Sequence, residues 1–263
     1  MIKWLFLLCV LGLIWGFIEA NTLKVTHLDL NKSDLKKSEK PLKIVFVSDI
    51  HLDYVTKFKH HFMKRVCRAI KAQQPDLVII GGDIITKPRT YPNPVFNYFK
   101  DLDIECIAVL GNHDYLDLET VKQAYQDANI KLLVNEWIEW EGYTLYGTDD
   151  YRLGHPYIPP LNTQKEQSIL ISHEPEVLRK NPNAHQFAFG LAGHHHGGQI
   201  TFFGHYAPAV RSEFGQDLVR GYHVEHGMLC YISKGIGGFP LRFFATPEIV
   251  VLDLSKTQIS QTL

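Results

Sequence analysis

The chain of 263 residues predicts an α/β fold with a mostly parallel sheet, preceded by an N-terminal hydrophobic helix. Three observations carry that prediction. From Leu42 onward, runs of four to six β-branched and aliphatic residues recur, and such runs read as strands buried on both faces. Amphipathic helical stretches separate the first three runs, at about Phe58 to Gln73 and Pro94 to Leu102, and this order implies right-handed parallel crossovers. A hydrophobic content of 45% with 21% charged residues is that of an ordinary globular chain, long enough for one large domain or two small ones.

The N-terminal segment "MIKWLFLLCVLGLIWGFIEAN" holds no charge between Lys3 and Glu19. As a helix, its fifteen uncharged residues cover about 22 Å, short of a ~30 Å hydrocarbon core. Lys3 and Glu19 can lengthen the span by snorkelling, with Trp4 and Trp15 near the interfaces. A secretory signal peptide ending at Ala20 is the rival reading, although Ile18 makes a poor cleavage site. A retained membrane anchor over residues 1–21 is the expectation. Residues 22–41 read as an edge strand and a Lys-rich connector, 42–254 as the main domain and 255–263 as a tail. Four scattered cysteines offer neither a disulfide framework nor a zinc knuckle. A net charge of -1 gives no electrostatic case for nucleic acid.

Each apolar run ends in residues that can hold a metal. "LKIVFVSDIH" ends in Asp49 and His51, "LVIIGGD" in Asp83, and "CIAVLGNHD" in Asn112, His113 and Asp114. "ILISHEP" ends in His173, and "FAFGLAGHHH" in His194, His195 and His196. Parallel strands present their carboxyl ends along one edge, where ligands bind, so the sheet gathers these groups. The set supplies oxygen and imidazole without thiolate, which suits Mn, Fe, Zn or Co better than calcium. Asp49, His51, Asp83, Asn112, His173, His194 and His196 are too many for one ion. They suit two divalent transition-metal ions ~3.5–4 Å apart that share a carboxylate, activate a bridging water and clamp the oxygens of a phosphoryl displacement.

The blocks D-x-H, G-G-D, G-N-H-D, H-x-P and G-H-x-H-G-G-Q, in this order, resemble the calcineurin-like metallophosphoesterase superfamily over roughly Leu42 to Leu254. The tail "YISKGIGGFPLRFFATPEIVVLDL" and the apolar N-terminus make the chain similar to the membrane-associated bacterial branch of the YkuE and YaeI type. That branch is in turn similar to the chlamydial-type enzyme that cleaves UDP-2,3-diacylglucosamine. The resemblance implies a four-layer fold, a central β-sandwich flanked by helices. It implies a first metal held by Asp49, His51, Asp83 and His196, and a second, with manganese foremost, completed by Asn112, His173 and His194, Asp83 bridging. His113 would then be the general acid at the leaving oxygen. The expected reaction is attack of a metal-bridging hydroxide on a phosphodiester or diphosphate, with UDP-2,3-diacylglucosamine in lipid A synthesis as the leading substrate. A generic phosphodiesterase on nucleotide or glycerol phosphodiesters is the alternative, and a catalytically inactive scaffold is a third.

Two departures from the family pattern stand out. His195 occupies a position commonly Thr or Ser and is expected to point away from the metals into solvent. "GGDIITK" lacks the arginine that protein phosphatases of the superfamily place after the bridging Asp, which argues against phosphoprotein substrates. Asp114 is expected to cap the following turn, with orienting an imidazole as the competing role. Arg242 is a candidate for binding substrate phosphate, since a guanidinium forks onto phosphate oxygens, with a structural ion pair as the competing role. Lys24, Lys32, Lys36 and Lys37 follow the apolar run and only Lys3 precedes it. By the positive-inside rule this places the catalytic domain on the cytoplasmic face of the inner membrane.

Overall fold

The computed structural model describes residues 2–52, 57–87, 94–162, 164–210 and 212–255. The expected tail therefore lies, from residue 256 on, outside the described residues. In chain order the elements are α1 (Ile2–Ala20), β1 (Lys24–His27), β2 (Lys43–Val47), α2 (Lys57–Ala72), β3 (Leu77–Gly81), α3 (Pro94–Lys100) and β4 (Glu105–Val109). There follow α4 (Leu118–Asp127), β5 (Lys131–Leu132), β6 (Glu136–Trp140), β7 (Tyr143–Gly147), β8 (Ser168–Ile171), α5 (Glu176–Lys180) and β9 (Phe189–Ala192). The chain closes with β10 (Gly221–Glu225), β11 (Met228–Ile232) and β12 (Glu248–Asp253).

The strands form two six-stranded sheets, ordered β1-β12-β2-β3-β4-β5 and β10-β11-β9-β8-β7-β6. The single gathering sheet expected from the apolar runs is thus divided, with β2, β3 and β4 in one sheet and β8 and β9 in the other. Each ligand-bearing group is internally parallel, and antiparallel pairs occur where β12 meets β2, β10 meets β11 and β6 meets β7. The mixed α/β sandwich implied by the family resemblance is the architecture observed.

Strand periodicity explains the layers. Ile44, Phe46, Leu77, Ile79, Ile107 and Val109 point inward and meet Leu145, Ile169, Ile171, Phe189 and Leu191 of the second sheet. Their neighbours in sequence, Val45, Val47, Val78, Ile80 and Ala108, point outward and are covered by Met63, Val66 and Ile70 of α2, Phe96 and Phe99 of α3, and Val121 and Tyr125 of α4. On the far side, Tyr146, Leu170, Ala192, Cys230 and Ile232 pack with Val177 and Leu178 of α5. A run covered on one face by a helix and on the other by a sheet is continuously apolar, because alternation has no solvent side to record.

Helix α1 is long and apolar enough to cross a membrane, and nearly all of that span is exposed. Its last turn is different. Gly16 is buried against the Phe243 ring, and its carbonyl accepts a hydrogen bond from the Arg242 amide at 3.0 Å. Glu19 does not snorkel to water: it is buried, and its carboxylate accepts from the amides of Phe244 (3.0 Å) and Ala245 (2.8 Å), the Thr246 hydroxyl (3.0 Å) and the Trp15 indole (3.1 Å). The helix is thereby built into the segment that follows β11.

Replacing Glu19 by Ala leaves those donors without their shared carboxylate. Glu19→Ala is expected to lower stability by about 2–4 kcal/mol, since bonds to a charged acceptor and the donors left behind each count. Thermal unfolding in detergent would report the loss, and faster tryptic cleavage after Lys24 would localise it.

Candidate metal centre

Five strand ends, three from one sheet and two from the other, finish side by side. Asp49, Asp83, Asn112, His173 and His194 each lie two or three residues beyond the end of β2, β3, β4, β8 or β9. The backbone turns sharply there. Asp49, His51, Asp83, His194 and His196 all have positive φ, between 49° and 72°. Left-handed conformations cost non-glycine residues roughly 1–3 kcal/mol each and persist only where the surroundings enforce them. Asp and His tolerate this region better than most residues. The turn throws each side chain over the sandwich edge. Gly111 permits a close approach, since a Cβ there would stand 2.3 Å from Asp83 Oδ1.

The side chains converge on Asp83. Its Oδ2 lies 3.5 Å from His51 Nε2 and 3.3 Å from His173 Nε2. His51 Nε2 is 3.1 Å from His196 Nε2, which is 3.7 Å from Asp49 Oδ1. On the other side His173 Nε2 is 3.2 Å from His194 Nδ1. Potential ligand atoms of Asp49, His51 and His196 group together, as do those of Asp83, His173 and His194, and a third group joins His113 to His51 and Asp83. The donor set fits divalent cations. Asn112 Oδ1 is buried with no hydrogen-bond partner, and the imidazole nitrogens brought nose to nose need a cation or proton between them.

Partners on the outer side fix the rings. His173 Nδ1 lies 2.8 Å from the Gly81 carbonyl, so it must be the protonated nitrogen, leaving Nε2 to face Asp83. Thr86 holds two rings, with its hydroxyl 3.1 Å from His51 Nδ1 and its carbonyl 2.9 Å from His113 Nδ1. Burial pulls the His51 imidazole down to about 4 and, together with nearby Arg242, His196 to about 3. Burial, then His173, also holds His194 well below the ordinary value. At His173 burial acts downward too, but the Asp83 carboxylate prevails and raises the imidazole well above 6.5. Burial pushes Asp83 up, yet His173 first and then His51 hold it far below the usual carboxylate range.

With this geometry, residues 42–233 match the calcineurin-like phosphoesterase family. The chain belongs to that family. Like other calcineurin-like phosphoesterases it is a metal-dependent phosphoric ester or diphosphate hydrolase. It is 29% identical to the uncharacterized metallophosphoesterase YkuE of Bacillus subtilis, over 92% of this chain and 88% of that one. It is 27% identical to phosphodiesterase YaeI of Escherichia coli, over 83% and 84% of the two chains. It is 24% identical to the UDP-2,3-diacylglucosamine pyrophosphatase LpxG of Chlamydia muridarum, over 92% and 93%.

Several residues of this phosphoesterase stand elsewhere than the sequence suggests. Arg242 does not reach the mouth of the site and forms no ion pair among the described residues. Its buried guanidinium donates to the carbonyls of Lys234 and Ala245 (2.7 Å each) and Gly237 (2.6 Å), with that of His196 at 3.5 Å, so the candidate phosphate ligand is a backbone brace. His195 points toward Glu176, as far as its turn allows, but is buried instead of solvated, with Nε2 3.5 Å from Glu176 Oε1. Asp114 caps no turn. Its Oδ2 accepts from the amides of Asp83 (3.0 Å) and Gly111 (2.9 Å), joining the exits of β3 and β4. Thr86 and Glu176 were not legible, because a lone Thr after a strand and an acid opening a short helix carry no pattern.

The His173 shift has a measurable consequence for metal loading. Raised well above the ordinary value by Asp83, His173 keeps a proton between Nε2 and Asp83 at neutral pH, and a metal ligand must give it up. His51, His194 and His196 are already neutral there. Titrating the metal-free protein with manganese in weak buffer at pH 7 should release about one proton per chain. His173→Asn should abolish the release; proton uptake, or none in the parent protein, would contradict the assignment.

Proposed function

We propose that the chain is a membrane-anchored, two-metal phosphoesterase that cleaves a phosphodiester or diphosphate bond in a lipid-linked or nucleotide-sugar substrate. The observation that carries this reading is one oxygen, Asp83 Oδ2, facing imidazole nitrogens of both ligand groups within 3.5 Å. The first cation falls to Asp49, His51, Asp83 and His196, and the second to Asp83, Asn112, His173 and His194. Manganese is the first choice of metal, with iron, zinc or cobalt as the others that an oxygen-and-imidazole set suits. Divalent cations bound there supply Lewis-acid polarisation of phosphoryl oxygens and a nucleophilic water at neutral pH.

The protein's own groups do the rest. His113 stands at the rim of the cluster with its backbone amide on Asp83 Oδ1 (2.8 Å) and Nδ1 on the Thr86 carbonyl. That leaves Nε2 to carry the proton donated to the departing oxygen. With its backbone fixed on Asp83 and its ring on the Thr86 carbonyl, the imidazole needs little reorganisation as charge develops. The buried strand exits behind it exclude water from the far side of the cluster.

For the substrate, UDP-2,3-diacylglucosamine is the leading reading, supported by likeness to LpxG along nearly the whole of both chains. A phosphodiester of the nucleotide or glycerol type is the second, favoured by the name of YaeI. An inactive scaffold is disfavoured because all seven ligand positions carry ligand residues. Lysines 24, 32, 36 and 37 after α1 support a domain on the cytoplasmic face, where the nucleotide part of such a substrate is made. Comparing hydrolysis of a monoester, a diester and UDP-2,3-diacylglucosamine by the manganese form tests the choice.

Two outcomes separate ligands from acid. Elemental analysis of reconstituted protein should find about two manganese ions per chain, and Asp83→Asn should fall below one because it touches both groups. A single ion with full activity would sink the two-metal reading. His113→Gln should keep its metal while kcat drops about 10²–10⁴-fold, with a smaller deficit for a nitrophenolate leaving group. Loss of metal in that variant would make His113 a ligand.

A further inference from the structure

Beneath the last turn of α1 lies an apolar cavity of ≈ 270 Å³. Its walls come from Ala20 of α1, Met63 of α2, Ile50 and Leu52 on either side of His51, and Ile236 and Phe239 of the segment after β11. Gly238 also borders it, and a Cβ on that glycine would stand 2.8 Å from His196 Nδ1. The cavity and the ligand cluster therefore share a wall one residue thick. Among the described residues no charged side chain lines it.

Size and chemistry restrict the occupant. Pockets that enclose whole drug-sized ligands run ~300–1,000 Å³ and carry a few placed polar groups, so a sugar or nucleoside is a poor fit here. A hydrocarbon chain fits, because removing apolar walls from water is the gain and Asn21, the one polar side chain among the described lining residues, already donates to the Phe17 carbonyl. Position restricts its source. The cavity is roofed by the final turn of a helix whose other turns expose Trp4, Leu8, Leu11, Trp15 and Ile18, a surface suited to a bilayer. Phe239, 60% exposed, stands at the same end.

We propose that this cavity takes the first part of one hydrocarbon chain of a phosphorylated lipid drawn from the leaflet, placing the phosphate over Gly238 at the metal cluster. The proposal rests on the phosphoesterase reading and adds a substrate class to it: a lipid whose tail stays partly in the protein while its phosphate reacts. Water-soluble diesters then lack a contact that substrates with a long chain make.

Dodecyl p-nitrophenyl phosphate and methyl p-nitrophenyl phosphate present the same bond and leaving group to the full-length manganese protein in detergent. The dodecyl ester should be cleaved with kcat/KM at least tenfold higher. Ala20→Trp, which plugs the cavity, should cut that value at least fivefold and change the methyl ester less than twofold; Ala20→Leu, a smaller plug, should fall between. Equal cleavage of the two esters by the parent protein, or equal losses on both in the plugged variants, overturns the proposal. If neither ester is cleaved, the phosphoesterase reading fails on these diesters, and the cavity is judged by photolabelling. Dodecyl phosphate with a diazirine at its fourth carbon, in phosphatidylcholine vesicles, should label the peptides holding Met63 or Phe239, and excess dodecyl phosphate or Ala20→Leu should suppress it. Label confined to the exposed face of α1, or capture of a second copy of the chain at this cavity, overturns the proposal.

Discussion

Everything at the functional edge depends on two buried carboxylates meeting across neighbouring strand exits. Asp114 accepts the backbone amides of Asp83 and Gly111, and Asp83 in return accepts the amide of His113. These bonds set the spacing of β3 and β4 where both chains leave the sheet. Burial, with the Asp83 charge beside it, pushes the Asp114 carboxyl up to about 8, so at neutral pH the pair is spared a second full negative charge. Gly111 seals the arrangement by leaving no room for a side chain between them. From this junction Asp83 can face His51 in its own sheet and His173 in the other, and the two ligand groups become one site.

Much of this was legible in the sequence, and the misses have physical causes. Strand-sized apolar runs ending in Asp, Asn and His announced both the elements and the cluster, because the chemistry of a sheet edge is concentrated in the residue or two after each strand. Division into two sheets was not legible: β3 and β8 are equally apolar, and a face covered by a helix looks in sequence like one covered by another sheet. Arg242 was misplaced because an arginine amid glycines and a proline resembles a loop cation. Its burial depends on the segment around it being held by Glu19, 223 residues earlier. His195 was expected in water because its neighbours turn toward the metals. The opposite direction, however, leads to Glu176, not to solvent.

The brace around Arg242 also joins parts that the sequence presents as separate. Its backbone amide is bonded to Gly16 in α1, while its guanidinium holds the carbonyls of Lys234 and Gly237 close to that of His196. Gln199 ties the same segment from the other side, donating to the carbonyls of Phe239 and Leu241 at 2.8 Å each. The apolar helix and the histidine block are thus successive layers of one packed unit. A continuous set of hydrogen bonds runs from the helix end to the backbone of His196.

The position of β12 has a consequence for biosynthesis. It lies between β1 and β2, pairing in register with Lys24–His27 on one side and with Lys43–Val47 on the other. While the chain is being made, β2 therefore waits with an open edge until residues near 253 have left the ribosome. Contacts this distant in sequence close slowly, and unpaired edges invite mispairing in the interval. The first sheet therefore closes only once β12 has slotted between β1 and β2. Among the described strands, β12 is the one that lets β1 join the sheet.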